Sequence, residues 1–135
     1  MGSQQLLLII VGVIILGVAV AVGITMFRDQ AAASNRDSVS NDVVYLASKA
    51  QEYYRKPQAL GGGQKSFNGM TLMRLTNKSA NANGTYDLES APITGDPASV
   101  VVTGTGVETG SNGGPVFLAI RVWPDSTAII TERTN

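Results

Sequence analysis

The sequence predicts an α+β fold in which a long N-terminal α-helix packs, through its C-terminal half, against a small antiparallel β-sheet head. The chain has an apolar run over residues 6–27, a helical periodicity that continues to Lys56, and strand-like segments after Pro57. Because one helix is followed only by strands, we expect an antiparallel sheet that covers one side of the helix. We therefore divide the chain into a helix over residues 1–56, of which 1–27 is the hydrophobic segment, and a β-rich head over residues 57–135.

The apolar run is long enough to cross a lipid bilayer. As a helix it measures about 33 Å, against a hydrocarbon core of about 30 Å. No Lys or Arg precedes it, and the first basic residue is Arg28, just beyond its end. The positive-inside rule alone would then place the head in the cytoplasm. A basic leader that preceded Met1 and was removed after setting the orientation resolves this conflict; an ordinary single-pass anchor is the alternative.

The helix is predicted to continue well beyond the apolar run. Residues 31–33 are alanines, which are the best helix formers. One apolar stripe follows at steps of three and four residues, formed by Val39, Val43, Leu46, Ala50 and either Tyr53 or Tyr54. Polar side chains in residues 34–35 and 38–42 compete for backbone hydrogen bonds, so we expect the helix to be weakest there, with a kink as one outcome. Proline disfavours a helical residue before it, so the helix should end before Pro57.

The head is predicted to consist of short strands separated by turns. The predicted strands cover residues 70–76, 85–90, 99–107, 116–123 and 127–133. Tyr86 and Leu88 are expected to share one face of their strand. One face of the next-to-last strand is expected to carry Val116, Leu118, Ile120 and Val122. Consecutive glycines at residues 61–63 predict a flexible loop between the helix and the strands.

Composition argues against several classes of function. The net charge is zero, so nothing favours nucleic acid as a partner. The chain contains no Cys and no His, which excludes disulfides and thiolate sites and removes the commonest general base and metal ligand. Residues 61–63 lack the Lys-Ser/Thr ending of a phosphate-binding loop, and the acidic residues follow no calcium-loop spacing. We therefore expect no cofactor, no metal and no enzymatic activity.

The chain resembles a mature type IV pilin or a close relative in that superfamily. The signature lies in Met1, where the family has its processed and often methylated first residue, and in the apolar run that starts at Leu6. Tyr53 and Tyr54, just before a proline and a loop, are also familiar in the family. The resemblance implies that a prepilin peptidase removes a basic leader and that the subunit waits in the inner membrane. Pilus assembly machinery would then build a filament with the helices in its core and the heads outside.

The sequence departs from the family pattern at two positions. Where the family usually has Glu, thought to pair with the N-terminal amine of a neighbouring subunit, this chain has Gln5. An amide oxygen can accept a hydrogen bond from that amine but adds no ionic attraction. The helix proline usual near position 22 is also missing, and the chain has Val22 and Gly23 there. Glycine in a helix costs about 1 kcal/mol, so local melting near residues 17–23 is permitted but not required.

Small residues recur four apart in the hydrophobic segment. Gly17 and Ala21 are four positions apart, and so are Ala19 and Gly23. Gly12 is a further small residue, nearer the N-terminus. Such residues allow two helix backbones to approach closely, although they are common in any membrane helix. Since a helix that is apolar all round must lie in lipid or among copies of itself, we expect these positions to pack in a filament core. A head-to-tail contact that does not close into a ring would propagate as a helical homopolymer.

Two sequence motifs match the acceptor pattern for N-linked glycosylation. They are Asn77-Lys78-Ser79 and Asn83-Gly84-Thr85, in a predicted exposed loop. The pattern arises often by chance in a chain rich in Asn and Thr. An unmodified polar loop is therefore the alternative at both Asn77 and Asn83.

Taken together, the sequence predicts a major pilin-like subunit of an extracellular type IV pilus-like filament on the cell surface. One alternative is a minor pseudopilin that works as a moving part of a secretion or DNA-uptake machine. The other is a monomeric binding domain anchored by a single membrane-spanning helix. The head carries no motif that selects adhesion, motility, DNA uptake, electron transfer or scaffolding as the role of the filament.

Overall fold

The computed structural model describes residues 2–89, 99–110 and 113–133. Its first element is helix α1, Gly2–Arg55, which is unbroken over 54 residues and therefore about 80 Å long. The helix ends where expected, because Pro57 adopts an extended conformation with φ −60° and ψ 149°. The expected weak region at residues 34–42 remains helical throughout.

The glycine-rich segment after α1 closes the end of the helix. The backbone N–H of Gly63 donates to the Tyr53 carbonyl at 2.8 Å, and that of Lys65 donates to the Tyr54 carbonyl at 2.7 Å. These bonds satisfy carbonyls that have no partner inside the helix. A Cβ on Gly63 would lie 2.7 Å from Cε1 of Tyr53, so the segment packs tightly on the helix end. Residues 61–63 thus form a specific cap, and not only the flexible loop that their composition predicts.

The predicted strand over residues 70–76 is wrong. This segment contains a single helical turn, α2, Leu72–Leu75, in which the Thr76 N–H donates to the Leu72 carbonyl at 2.9 Å. Leu72 and Leu75 are three residues apart and pack together against the core, while Met73 and Arg74 are exposed. The apolar spacing therefore suits a helical turn, and among the described residues no strand pairs with this segment.

Four strands form one antiparallel sheet in the order β1-β2-β3-β4. Their bounds are Gly84–Glu89, Val100–Thr109, Pro115–Val122 and Thr127–Arg133. The four remaining predicted strands are thus confirmed, except that residue 90 lies outside the described residues. The expected buried face of β3 is confirmed as well, because Val116, Leu118, Ile120 and Val122 are all buried, although Ala119 between them is also buried.

The second half of α1 lies across one face of the sheet and forms the core with it. The predicted stripe is confirmed, since its members Val39, Val43, Leu46, Ala50 and Tyr53 are all buried. They pack against side chains of the helix-facing side of the sheet, which are Tyr86, Val100, Val102, Leu118, Ile120 and Val122. Gly104 permits this approach, because an added Cβ would lie 2.7 Å from Cγ2 of Val43 and 2.8 Å from Cγ1 of Val39. The chain is therefore an α+β protein with its core between one helix and one sheet.

Candidate assembly site

The first half of α1 is an exposed apolar surface. Its residues 2–30 are exposed except for Gly12, which is half-buried, and burial begins at Ala31 and Ala32. The most apolar 18-residue window has a mean hydropathy of 3.2, and none of it is buried. By length and composition the helix can cross a membrane, whereas the core helix of a soluble protein would be mostly buried. We call residues 2–30 the assembly helix.

The fold itself does not require the small residues of the assembly helix. A Cβ added to Gly12, Gly17 or Gly23 would meet no atom within 4 Å. Ala19 and Ala21 are exposed too. In contrast, Gly84, Gly104 and Gly106 in the sheet have neighbours that a Cβ would strike. The small residues of the assembly helix therefore leave space for contacts with something outside this chain.

Of the two positions predicted to take part in assembly, Gln5 lies in the first turn of α1. Gln5 is exposed, and within the described residues its side chain has no hydrogen-bond partner. Its amide is therefore free to bind a group from another molecule. Met1 lies outside the described residues.

Asn35 makes the first polar connection between α1 and the sheet. Its Nδ2 donates to the Asn83 carbonyl at 2.8 Å, and its Oδ1 accepts the Glu108 N–H at 3.3 Å. Gly106 lies directly against this side chain, where a Cβ would collide with Asn35 Oδ1. Asn35 is predicted as a weak point of the helix, but its side chain binds the sheet and leaves the helical backbone intact.

Asp42 is the second connection and joins α1 to β1 and to the loop before it. Its Oδ2 accepts the hydroxyl of Tyr86 at 2.5 Å and the side-chain amides of Asn81 and Asn83, each at 2.8 Å. Partial burial raises the pKa of the Asp42 carboxyl, but the hydrogen bonds from Asn83, Tyr86 and Asn81 together outweigh it, so the pKa is lowered. For Tyr86, burial and the bond to Asp42 raise the pKa of the hydroxyl.

A third connection holds the end of α1. Nε2 of Gln51 donates to the Trp123 carbonyl at 3.0 Å, and Nη2 of Arg55 donates to the Pro124 carbonyl at 3.0 Å. Both acceptors lie in the turn between β3 and β4. The helix is thus held at Asn35, at Asp42 and at Gln51 with Arg55. Because no linker separates the assembly helix from this clamped part, the head has a fixed orientation on it.

The two candidate glycosylation sites differ in their surroundings. Asn77 is exposed, and its side chain forms no hydrogen bond with the described part of the chain. Asn83 is half-buried, and its Nδ2, the atom that would carry a sugar, donates to Asp42. Of the two, only Asn77 offers its amide without disturbing a contact of the fold.

The described residues do not include a group of three or more Asp or Glu side chains placed to hold a metal ion. No protein-family model matches the chain, and comparison with curated proteins and with solved structures finds no match either. The exposed assembly helix and its unbroken connection to the head are therefore the features that bear on function.

Proposed function

We propose that this chain is the structural subunit of an extracellular filament of the type IV pilus kind. The observation that carries the proposal is the division of α1 into an apolar half that is exposed to solvent and a half that packs under the sheet. A helix that is apolar all round is not stable in water and requires lipid or copies of itself. In this account the assembly helix lies in the inner membrane first and in the filament core afterwards.

The exchange between these two environments does not require the helix to enter water. Membrane and filament core are both apolar, so the helix keeps its burial when it moves from one to the other. Each buried methylene is worth about 0.8 kcal/mol, and the exposed Leu, Ile and Val side chains of the assembly helix supply many of them. The small residues Gly12, Gly17, Ala19, Ala21 and Gly23 let neighbouring backbones approach. A filament built in this way would be hard to dissociate.

The rigid connection between the assembly helix and the head supports a repeating polymer. In a helical assembly every subunit must present its head at the same angle to the core. The bonds at Asn35, Asp42 and Arg55 fix that angle within each copy. An anchored binding domain has no comparable need for an unbroken helix between membrane and head. The proposed role is structural, without catalysis, and the proposed partner is a second copy of the chain.

Shearing of cells that make this protein, followed by electron microscopy and intact-mass measurement, tests the proposal. We expect thin filaments whose main component has the mass of a chain that begins at Met1, with any methyl group or sugar seen as added mass. The matched control is the membrane fraction of the same cells, which should hold the unassembled pool. Recovery of the protein only from membranes, and only as a monomer, would contradict the proposal and favour an anchored binding domain.

A further inference from the structure

We infer that neighbouring heads in the filament are joined by a polar contact in addition to the packed helices. In this contact, a cationic groove on one head binds the two carboxylates of β1 on the next copy. The inference rests on the proposed function and adds to it the partner surface on each head. It is argued from the groove, from β1 and from the relative position of the two.

The groove lies between the second half of α1, the turn α2 and the loop that follows α2. It has a volume of about 650 Å³, with Leu46, Tyr53 and Leu75 among its lining residues. This volume lies within the range of 300–1,000 Å³ typical of binding sites in proteins. Its basic side chains are Lys49, Lys56, Arg74 and Lys78, and we call it the cationic groove.

The acidic residues of the groove are already engaged, while several of its cations are not. Asp42 accepts three hydrogen bonds, and Glu52 binds Nζ of Lys49 at 2.8 Å. In the described part of the chain, Lys56 and Lys78 have neither an ion pair within 4 Å nor a side-chain hydrogen bond, although Lys56 interacts electrostatically with the Glu52 carboxylate. Nη1 of Arg74 donates to the neutral carbonyl of Gly61 at 3.2 Å, so its charge is not neutralised. The groove therefore has a positive charge that an anion would complement.

The complementary charges lie on β1. Tyr86 and Leu88 face the helix, so the alternating Asp87 and Glu89 point to the opposite face of the sheet. Both carboxylates are exposed, and neither forms an ion pair with the described residues. The Asp87 carboxylate accepts its neighbour's backbone N–H at 2.8 Å. Among the described residues, Arg121 is a cation on this face of the sheet. It lies on β3, two strands away from β1, and its guanidinium is 5.9 Å from the centroid of the Trp123 ring.

The same separation of charge runs through the sequence of the head. Residues 57–83 contain three Lys or Arg and no Asp or Glu, whereas residues 84–135 contain six Asp or Glu and two Arg. The whole chain is neutral, so this is a division of charge between two surfaces and not an excess of one sign. Surfaces of opposite sign steer two molecules together and fix their orientation.

Within one copy the groove opens on the helix side of the head, while the Asp87 and Glu89 side chains point to the other face of the sheet. Lys78 lies beside Asp87 along the backbone, because Ala80 pairs with Thr85 and the Tyr86 N–H donates to the Ser79 carbonyl at 2.7 Å. Lys56 and Arg74 are therefore the cations of the groove that are left for the contact with another copy.

When two copies point in the same direction, the cationic groove of one copy can contact the β1 carboxylates of the next. Such a contact is heterologous, so it repeats from copy to copy without closing. Each exposed ion pair contributes little alone, but the contact recurs at every subunit of the filament. The direction of this contact agrees with helices that lie parallel in a common core.

Two kinds of variant test the inference: in one kind the charges of a single surface are reversed, and in the other the charges of both surfaces are reversed together. The first variant combines Lys56→Glu with Arg74→Glu, the second combines Asp87→Lys with Glu89→Lys, and the third carries all four changes. Filaments of the full chain are sheared, weighed and imaged for each. We expect each reversal alone to lower the yield about tenfold, because it places like charges against each other. The third variant should recover most of the yield, because opposite charges face each other again.

Two controls separate this contact from general effects. Lys65→Glu reverses the charge of an exposed lysine that lies in the same basic part of the sequence but outside the groove. This change should leave the yield of filaments unchanged. The thermal unfolding of each full-length variant in detergent should match that of the unaltered chain, which shows that the head still folds. If the unaltered chain forms filaments but neither reversal changes the yield, the inference is wrong and the proposed function stands. Loss of yield without recovery in the exchanged variant also overturns it, since the groove would then bind an anion other than a second copy.

Discussion

The hydroxyl of Tyr86 on β1 donates a hydrogen bond of 2.5 Å to Oδ2 of Asp42 on α1. It joins the edge strand of the sheet to the helix beside the buried stripe. Asn81 and Asn83 donate to the same oxygen, so one carboxylate holds a strand and a loop against the helix. In the filament that we propose, this cluster would determine how the head sits on the core.

Removal of the Tyr86 hydroxyl should weaken the head. We expect Tyr86→Phe to lower the free energy of unfolding by about 1.5–3 kcal/mol, which is typical of a hydrogen bond to a charged group. Urea unfolding of the full chain in detergent measures this. The matched control is Tyr45→Phe, because Tyr45 is 57% exposed and its hydroxyl makes no hydrogen bond to the described residues. Equal stability of the two variants would show that the Asp42 bond does not hold the head.

The stability of the head should fall in acid through Asp42. The pKa of this carboxyl is lowered in the folded chain, because hydrogen bonds from Asn83, Tyr86 and Asn81 outweigh the effect of burial. A lowered folded-state pKa contributes stability that is present above the ordinary value of 3.8 and is lost as the pH falls through the folded value. Asp42→Asn should therefore be less stable than the unaltered chain at neutral pH, with the difference shrinking below about pH 4.

Unfolding curves at about pH 7, 5, 4, 3 and 2 give this comparison directly. Asp37→Asn changes an exposed aspartate on the same helix and serves as the control. It should follow the pH dependence of the unaltered chain. A constant difference between Asp42→Asn and the unaltered chain across the whole series would contradict the role given to the Asp42 carboxylate.

A methyl group at position 104 should separate the helix from the sheet. The added Cβ of Gly104→Ala would lie 2.7 Å from Val43 and 2.8 Å from Val39, both fully buried on α1. Overpacking of this kind costs about 1–3 kcal/mol, and we expect that loss in urea unfolding. Gly17→Ala makes the same chemical change where no atom lies within 4 Å, so it should not weaken the head. The account of helix–sheet packing fails if Gly104→Ala is as stable as the unaltered chain.

A large side chain at position 17 should impair assembly without harming the head. Gly17→Leu has room within one copy but would crowd a neighbouring helix in a filament. If this crowding costs about 1.4 kcal/mol per subunit, association falls about tenfold. Sheared filament yield measures the loss, and Val20→Leu is the control, because it keeps a branched aliphatic side chain at an exposed position of the same helix. An unchanged yield from Gly17→Leu would argue against close packing at this glycine.

The periodic parts of the fold were predictable from the sequence. The stripe from Val39 to Tyr53 follows the helical period, and the apolar face of β3 follows a period of two, because both elements bury one side against a common core. The turn α2 was misassigned because a segment as short as Leu72–Leu75 fits either period, and only packing of Leu72 and Leu75 together decides between them.

The polar connections between helix and head were not predictable in the same way. Asn35 and Asp42 read locally as residues that weaken a helix, since their side chains compete for nearby backbone groups. Their actual partners are distant, with Asn83 located 41 positions after Asp42. A single sequence contains no pattern that links such positions. The assembly helix is different, because its composition alone requires an apolar environment.

Solvent accessibility of the assembly helix in sheared, membrane-free material tests the central claim most directly. The chain has no Cys, so Val18→Cys and Leu60→Cys each introduce one thiol for reaction with a charged maleimide. Val18 and Leu60 are similarly exposed in a single copy, at 59% and 67%. If copies pack through the assembly helix, the thiol at position 60 reacts readily and that at position 18 stays protected until detergent dissociates the filament. Equal reactivity of the two thiols in intact filaments would contradict assembly through this helix.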